Sequence, residues 1–549
     1  MRFARSIFAP AAVLATAVFT GGWFLQQGVA QGQNVYFRVR LFQEVLDRIS
    51  SDYVEEVTKD SLYKSAVTGL IKDLDDPNSS FMEAADYENL RIRTQGAYGG
   101  VGLEITERDG YVTVVAPIHG TPGARAGIRA GDRFVEIEGV PALGWDDDQA
   151  VELLRGEAGT EVSVKVKRLG VAQPISFTLM RELIQLKSVP FALHVAPGIA
   201  YVPLQVVRET SSEEVRAALD SLDDAGPLNG IVLDLRGNPG GLLEQGIAVS
   251  DLFLAAGTAI VETRGRTPDQ TEEFRASSGD RFPGIPMVTL VDEYSASASE
   301  IISGALQDHD RALVVGMLSY GKGSVQTLFR LSGGNVLRLT TARWFTPVGR
   351  SINKPHDEQI AARETGTLTL NGALTTPPIL EGLPTLQSKG GRTLYGGGGI
   401  TPDVVVLADT LTTEEQAAVR GLYRNAGVLE VSIFNFAVRL IQERPSLQPD
   451  FEITDRDLEQ LYESLDDTIR SQLDLVGFMK ASRYIRYDLE RKVALQKWGE
   501  ATEFRRSVPY DLQLKSALDV LGRADSPESL FRVAGQEPGR RSAETSGVR

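Results

Sequence analysis

Hydrophobic spacing changes three times along the chain. Phe42, Val45, Leu46 and Ile49 follow the i, i+3, i+4, i+7 pattern of an amphipathic helix. A second helix is predicted over Ser61–Leu74, ending at the turn-forming LDDPNSS. From Gly96 the period shortens to two. AYGGVGLEI, YVTVVAPI, DRFVEIEG and EVSVKVKR are short β-like runs separated by Gly-rich turns, and in the last of them Val162, Val164 and Val166 alternate with polar residues. DDDQAVELL predicts a helix between the last two strands. The result is a compact β-rich module at residues 97–183, preceded by a small helical region at 31–96.

From about residue 199 the apolar runs become continuous. NGIVLDLRG, PMVTLVDE and RALVVGML read as strands buried under helices. SSEEVRAALDSL opens with a capping-box pattern at Ser211 and Glu214, and further helices are expected over Gly241–Phe253 and Ser297–Gln307. SVQTLFRL and NVLRLTTARWF flank a Gly-Gly turn as a hairpin. This α/β region extends over 184–410, with a Gly-, Thr- and Pro-rich insertion at about 355–399. Residues 411–535 turn helical, and the polar segment 536–549 has the composition of a disordered tail.

The N-terminus adds a location. Arg2 and Arg5 precede a mostly apolar run from Ile7 to Leu25 and the small residues Gly28 and Ala30. That is the layout of an export signal at residues 1–30, nearly long enough to act as a retained anchor. The expected destination is a bacterial-type periplasm or cell envelope, with anchoring to the inner membrane as the alternative. A formal charge of −16 counts against broad nucleic-acid binding. Without cysteine there is no disulfide, thiol nucleophile or thiolate metal site.

Candidate chemistry begins at GMLSYGKGSVQ, residues 316–326. It approaches a phosphate-binding P-loop, but Gly323 stands where Ser or Thr should hold magnesium, and a β-like run follows where a helix is required. Upstream, Ser297 opens a helix after the strand PMVTLV. With Glu300 it fits a capping box. A serine at a strand-to-helix turn is also well placed to act as a nucleophile, beside unpaired N–H groups suited to an oxyanion.

Such a serine needs a base. His309 lies 12 residues on, about 18 Å away along a continuous helix. His119, His194 and His356 fall in segments unlike a catalytic turn. Lys322 is the other option, since burial lowers a lysine's pKa and supplies a neutral amine. Gln326 follows four residues later, on the same face if both lie on one strand. In LDLRGNPGG, Gly240 or Gly241 offers a second oxyanion N–H. Each segment also has a plain structural reading: a helix cap, a solvated loop lysine, a tight βα turn.

Taken together, LDDPNSSF, YGGVGLEI, LDLRGNPGG, SASASEI, RALVVG, YGKGSVQ and YGGGGITPDVVV resemble, in order, segments of the C-terminal processing (tail-specific) peptidases. The resemblance covers about residues 36–405. It implies a multi-domain α/β protein: a crotonase-like (ClpP-related) catalytic core with a PDZ domain and helical terminal regions. It implies Ser297 as nucleophile, Lys322 as general base, Gln326 positioning that base, and the Gly241 and Ala298 N–H groups as the oxyanion hole. Tyr98, Gly99, Gly100, Val101, Gly102 and Leu103 match the PDZ loop that captures a peptide carboxylate. The implied partners are polypeptides with free C-termini, and neither metal nor other cofactor is required. The helical terminal regions are candidate surfaces for a homodimer or higher oligomer. The longer insertion and the C-terminal helices depart from the family pattern. An inactive PDZ scaffold and a Ser-His-Asp protease are the rival readings.

Overall fold

The computed structural model describes residues 35–354, 366–422, 426–465, 467–470 and 474–536. The expected export segment, His356, part of the insertion and nearly all of the polar tail lie outside these residues. The described chain forms two units, one of residues 35–84 with 326–340, the other of residues 85–325 with 341–536.

In the first unit, helices Val35–Asp52 and Lys59–Lys72 are joined by the Lys59–Asp47 ion pair at 2.8 Å and by Tyr63 Oη donating to Gln43 Oε1 at 2.5 Å. The second helix starts earlier than the spacing suggests, because Thr58 serves as its N-cap and accepts the Ser61 N–H. Strand Ser80–Met82 pairs antiparallel with Val336–Arg338, and Ser79 Oγ accepts the Thr340 N–H at 3.1 Å.

The second unit contains the β-rich module and the α/β core. In the module, the main sheet runs Leu103–Arg108, Tyr111–Pro117, Arg133–Ile137, Glu161–Lys167, Ile175–Met180, so Leu103–Arg108 is an edge strand. Val162, Val164 and Val166 turn inward as their alternation requires, onto Phe134, Ile137 and Leu179. Helix Asp147–Leu154 is fixed by a capping box between Asp146 and Gln149.

The core sheet orders strands Leu193–Ala196, Ile199–Pro203, Gly230–Asp234, Met287–Val291, Leu313–Gly316 and Val404–Val405, with every pair after the first parallel. Successive residues serve opposite layers. Ile231 and Leu233 face the layer of helices Ser211–Ala225, Leu243–Asp251 and Ala298–Asp308, while Val232, Val288 and Leu290 pack with Leu514, Ala517, Val520 and Leu521 of helix Leu512–Gly522. The C-terminal helices therefore cover the second face of the core sheet, which explains why its strands are apolar on both sides.

The capping box expected at Ser211 does not form. Ser211 is itself the first helical residue, and its hydroxyl bonds to Ser188 Oγ at 2.8 Å. The Glu214 carboxylate is taken by the Ser188 and Val189 N–H groups. Tertiary partners absorbed a pattern that is locally sufficient for a cap.

Candidate active site

Three neighbouring parallel strands, Gly230–Asp234, Met287–Val291 and Leu313–Gly316, each run out at their carboxyl ends into a segment bearing one candidate group. In open α/β sheets this is the edge where ligands bind. The first strand leads to the Gly240–Gly241 turn, the second to Ser297, the third to Lys322.

Ser297 sits at φ 56°, ψ −115°, a backbone geometry that a side-chain-bearing residue adopts only under constraint. The constraint is visible on both sides. Upstream, Asp292 Oδ1 gathers the N–H groups of Tyr294, Ser295 and Gly237 at 2.9–3.1 Å. Downstream, the Glu300 and Ile301 N–H groups both close onto the Ser297 carbonyl oxygen, at 2.9 and 3.0 Å. Ser297 therefore stands at the head of helix Ala298–Asp308, whose N-terminal dipole favours negative charge.

The glycine loop is stitched to this turn by Asn238. Its carbonyl accepts the Ala296 N–H at 3.0 Å and Ser299 Oγ at 3.0 Å, and its side chain donates to Leu204 O at 2.6 Å. The Asn238 amide oxygen also accepts the Gly240 N–H at 2.8 Å, which removes Gly240 from the oxyanion choice. Among the described residues, the N–H groups of Gly241 and Ala298 make no hydrogen bond. Both glycines are required by contact. A Cβ on Gly240 would lie 2.5 Å from Ala296 O, and one on Gly241 would lie 1.8 Å from Val207 O.

Lys322 is half-buried and precedes the strand Ser324–Arg330, so the strand-face relation expected between Lys322 and Gln326 does not apply. Its segment is held by Trp344, whose Nε1 donates to Lys322 O at 3.1 Å and whose N–H donates to Gly323 O at 3.0 Å. The Lys354 N–H binds Gly321 O at 3.0 Å. Gln326 belongs to the first unit, where its amide donates to Thr340 Oγ1 at 3.4 Å.

One residue not singled out for chemistry joins the serine and lysine segments. The Glu300 carboxylate is fully buried. Its Oε2 accepts the N–H groups of Ser297 at 2.8 Å and Lys322 at 2.9 Å, while Oε1 accepts the Gly321 N–H at 2.7 Å and Ser319 Oγ at 2.5 Å. Burial raises its pKa, opposed by these four donors. The S-x-x-E spacing marked only its bond to Ser297.

Among the described residues, no histidine lies in the Ser297 or Lys322 segment. His309 Nε2 bonds to Ala259 O at 2.7 Å, and burial lowers its pKa. His194 Nε2 bonds to Leu222 O at 3.0 Å, and His119 is exposed on the β-rich module.

In that module, Ala97–Gly100 pairs with Glu182–Gln185, and the chain then turns through Val101 and Gly102 into the edge strand. Gly102 has φ +70° and would place a Cβ 2.3 Å from the Thr121 Cβ. Tyr98 lies under Arg155, and Leu103 packs against Gly123. Among the described residues, the Val101 and Gly102 N–H groups make no hydrogen bond. A free N–H pair next to an unpaired strand edge is the equipment for adding a peptide strand and holding its terminal carboxylate.

A strained serine at a helix head, a glycine loop with free N–H groups and a peptide-binding module define a serine-type hydrolase acting on polypeptide. Family models match three segments: "CtpB N-terminal domain" at residues 24–86, "PDZ domain" at 113–168 and "Peptidase family S41" at 198–360. The carboxy-terminal-processing protease of Bartonella bacilliformis is 41% identical over 58% of this chain and 74% of its own length. The carboxy-terminal processing protease CtpA of Bacillus subtilis is 33% identical over 56% and 65%. The solved structure of a photosystem II D1 C-terminal processing protease is 31% identical, covering 56% of this chain and 83% of that one with a TM-score of 0.33. The chain belongs to the carboxy-terminal processing proteases of peptidase family S41.

Proposed function

We propose that this chain is an exported serine endopeptidase that reads the free C-terminus of a protein and cleaves near it with a Ser/Lys pair. The observation that carries the reading is the buried Glu300 carboxylate binding the backbones of Ser297 and Lys322 through one oxygen. Such a tie fixes two loops relative to each other, as a nucleophile and its base require.

In this mechanism the PDZ loop at Tyr98–Leu103 holds the substrate's terminal carboxylate, and the tail adds to the Leu103–Arg108 edge. Lys322, uncharged, takes the proton from Ser297 Oγ as that oxygen attacks a peptide carbonyl carbon. The N–H groups of Gly241 and Ala298 receive the oxyanion. Lys322 passes the proton to the leaving amine, and the acyl-enzyme forms as the C–N bond breaks. A water molecule, deprotonated by Lys322, then attacks the acyl carbon, and Lys322 returns that proton to Ser297 Oγ as the ester bond breaks and the new C-terminus leaves. Gln326 is assigned to orienting Lys322. No step calls for a metal or other cofactor.

The apolar run at Ile7–Leu25 supports export to the periplasm or envelope, with retention in the inner membrane as the alternative. Among the described residues no helix is long and apolar enough to cross a membrane. Tyr36, Phe37 and Val39 lie on a largely exposed helix, which supports self-association through the N-terminal region.

The deciding experiment compares one protein substrate with a free and with an amidated C-terminus. Cleavage of the free form that disappears in Ser297→Ala and Lys322→Ala, and on amidation, is the expected result. Full activity of Lys322→Ala would refute the Ser/Lys assignment, and equal cleavage of both substrates would refute tail recognition.

A further inference from the structure

The loop that carries Gly241 is not held by the catalytic core alone. Arg236, five residues before Gly241, is a largely buried guanidinium bridging two carboxylates. Its Nε and Nη2 donate to Asp234 at 2.6–3.1 Å, and its Nη1 and Nη2 donate to Asp511 Oδ1 at 2.8 Å and Oδ2 at 2.7 Å. Gln513 Oε1 accepts from Nη1 at 3.1 Å. Asp511 and Gln513 belong to the C-terminal helical region, 275 and 277 residues further along the chain. A bidentate carboxylate fixes a guanidinium in its plane as well as in position.

Two further contacts brace the same point. Tyr201 Oη donates to Asp234 Oδ2 at 2.6 Å, and the Tyr201 ring stacks on Phe504 of the C-terminal region at 4.1 Å between centroids. The Gly237 N–H is held by Asp292, on the turn that leads to Ser297. An unbroken set of bonds thus runs from Asp511 through Arg236 into the Leu235–Leu242 loop, and from that loop through Asn238 to the serine turn.

We propose that Asp511 is a positioning residue for peptide hydrolysis: by clamping Arg236, the C-terminal helical region aims the Gly241 N–H at the oxyanion. This rests on the reading of Ser297 and Gly241 given above. Without Asp511, Arg236 keeps Asp234 and the single Gln513 contact but loses the bidentate partner that fixes the plane of its outer edge. The loop then loses one brace, while Asn238 and Asp292 still hold it, and a shift of the Gly241 donor by up to about 1 Å costs up to about 100-fold in rate.

The test uses the full chain with Asp511→Asn. Asn retains an oxygen able to accept the Leu514 N–H, so the cap of helix Leu512–Gly522 is kept while the charge and the paired contact are lost. Arg236→Lys cuts the same link from the other side, because an ammonium cannot bridge both carboxylates in one plane. The measurements are kcat, KM, the fraction of Ser297 titrated by a serine-reactive phosphonate, and inhibition by a peptidyl aldehyde. The aldehyde forms a tetrahedral adduct on serine and so reports on the oxyanion hole.

In both variants kcat should fall on the order of 10- to 100-fold with KM nearly unchanged and Ser297 fully titratable. Aldehyde affinity should fall by the same factor as kcat/KM. Wild-type kcat and aldehyde affinity in either variant, or a loss matched by the untitratable fraction, would overturn the inference. If wild-type cleavage itself survives Ser297→Ala, the reading of the site fails and takes this one with it. Cleavage that depends on Ser297 but ignores Asp511 refutes the positioning role alone.

Discussion

Ser297 and Lys322 share one acceptor: both backbone N–H groups donate to Oε2 of Glu300, at 2.8 and 2.9 Å. The other carboxylate oxygen takes Gly321 N–H and Ser319 Oγ. Each carboxylate oxygen must accept, because three of the four donors are backbone N–H groups and each oxygen faces at least one of them. Glu300→Gln would turn an NH₂ toward at least one of them. The expected outcome is a loss of about 3 kcal/mol of stability and a fall in kcat of at least about 100-fold. Thermal unfolding and steady-state kinetics check both, and a variant with wild-type kcat would show that the tie is dispensable.

Gly241→Ala should be nearly as damaging to turnover while sparing the fold. The added methyl would lie 1.8 Å from Val207 O, so the loop must move, and the Gly241 N–H moves with it. Loss of one oxyanion donor costs about 10²- to 10³-fold in kcat. Circular dichroism should show intact secondary structure, and KM should stay close to wild type. A kcat within twofold of wild type would remove Gly241 from the oxyanion hole.

In the PDZ loop, Gly102→Ala separates recognition from chemistry. A Cβ at φ +70° would be strained and would overlap Thr121, distorting the turn that presents the Val101 and Gly102 N–H groups. For a substrate with a free C-terminus, KM should rise about tenfold, equivalent to roughly 1.4 kcal/mol of lost binding. Turnover of a short amidated peptide should be unchanged. A KM unaffected on the free-tail substrate would argue against carboxylate capture there.

The division between what was legible in the sequence and what was not follows the range of the interactions. Ser297 stands out as a candidate because a serine at a strand-to-helix turn is a local pattern, and Lys322 because Gly323 and the β-like run after it break an otherwise plausible P-loop. The alternating sheet layers were legible as continuous apolar runs. Glu300 was legible only in part: the S-x-x-E spacing announces its bond to Ser297, but its other partners lie 19–22 residues further on. Asp511 left no local sign at all, since its partner is 275 residues away. The Ser211 cap misled for the converse reason, because residues outside the helix claimed both of its polar groups. The choice between Gly240 and Gly241 needed the Asn238 side chain in place.

Glu293 gives the protein a pH-dependent stability with a definite sign. It lines a cavity of about 460 Å³ together with Arg236, Gly237, Tyr294 and Asp511. Burial, reinforced by the neighbouring Asp292 charge, pushes its pKa from 4.5 to about 7. Between those two values the folded state holds a proton that the unfolded state has released, so stability falls as pH rises through this window. Below pH 4.5 the group is neutral in both states and contributes no penalty. Above pH 7 the penalty is complete, about 1–2 kcal/mol after allowance for the solvent-facing part of the side chain. Glu293→Gln removes the ionisation, so the variant should unfold at a higher temperature than wild type at pH 8 and at nearly the same temperature at pH 4. Two thermal melts of each protein decide it. An equal gap at both values would place the effect in packing, and a variant less stable at pH 8 would show that the ionised carboxylate is stabilised in the cavity.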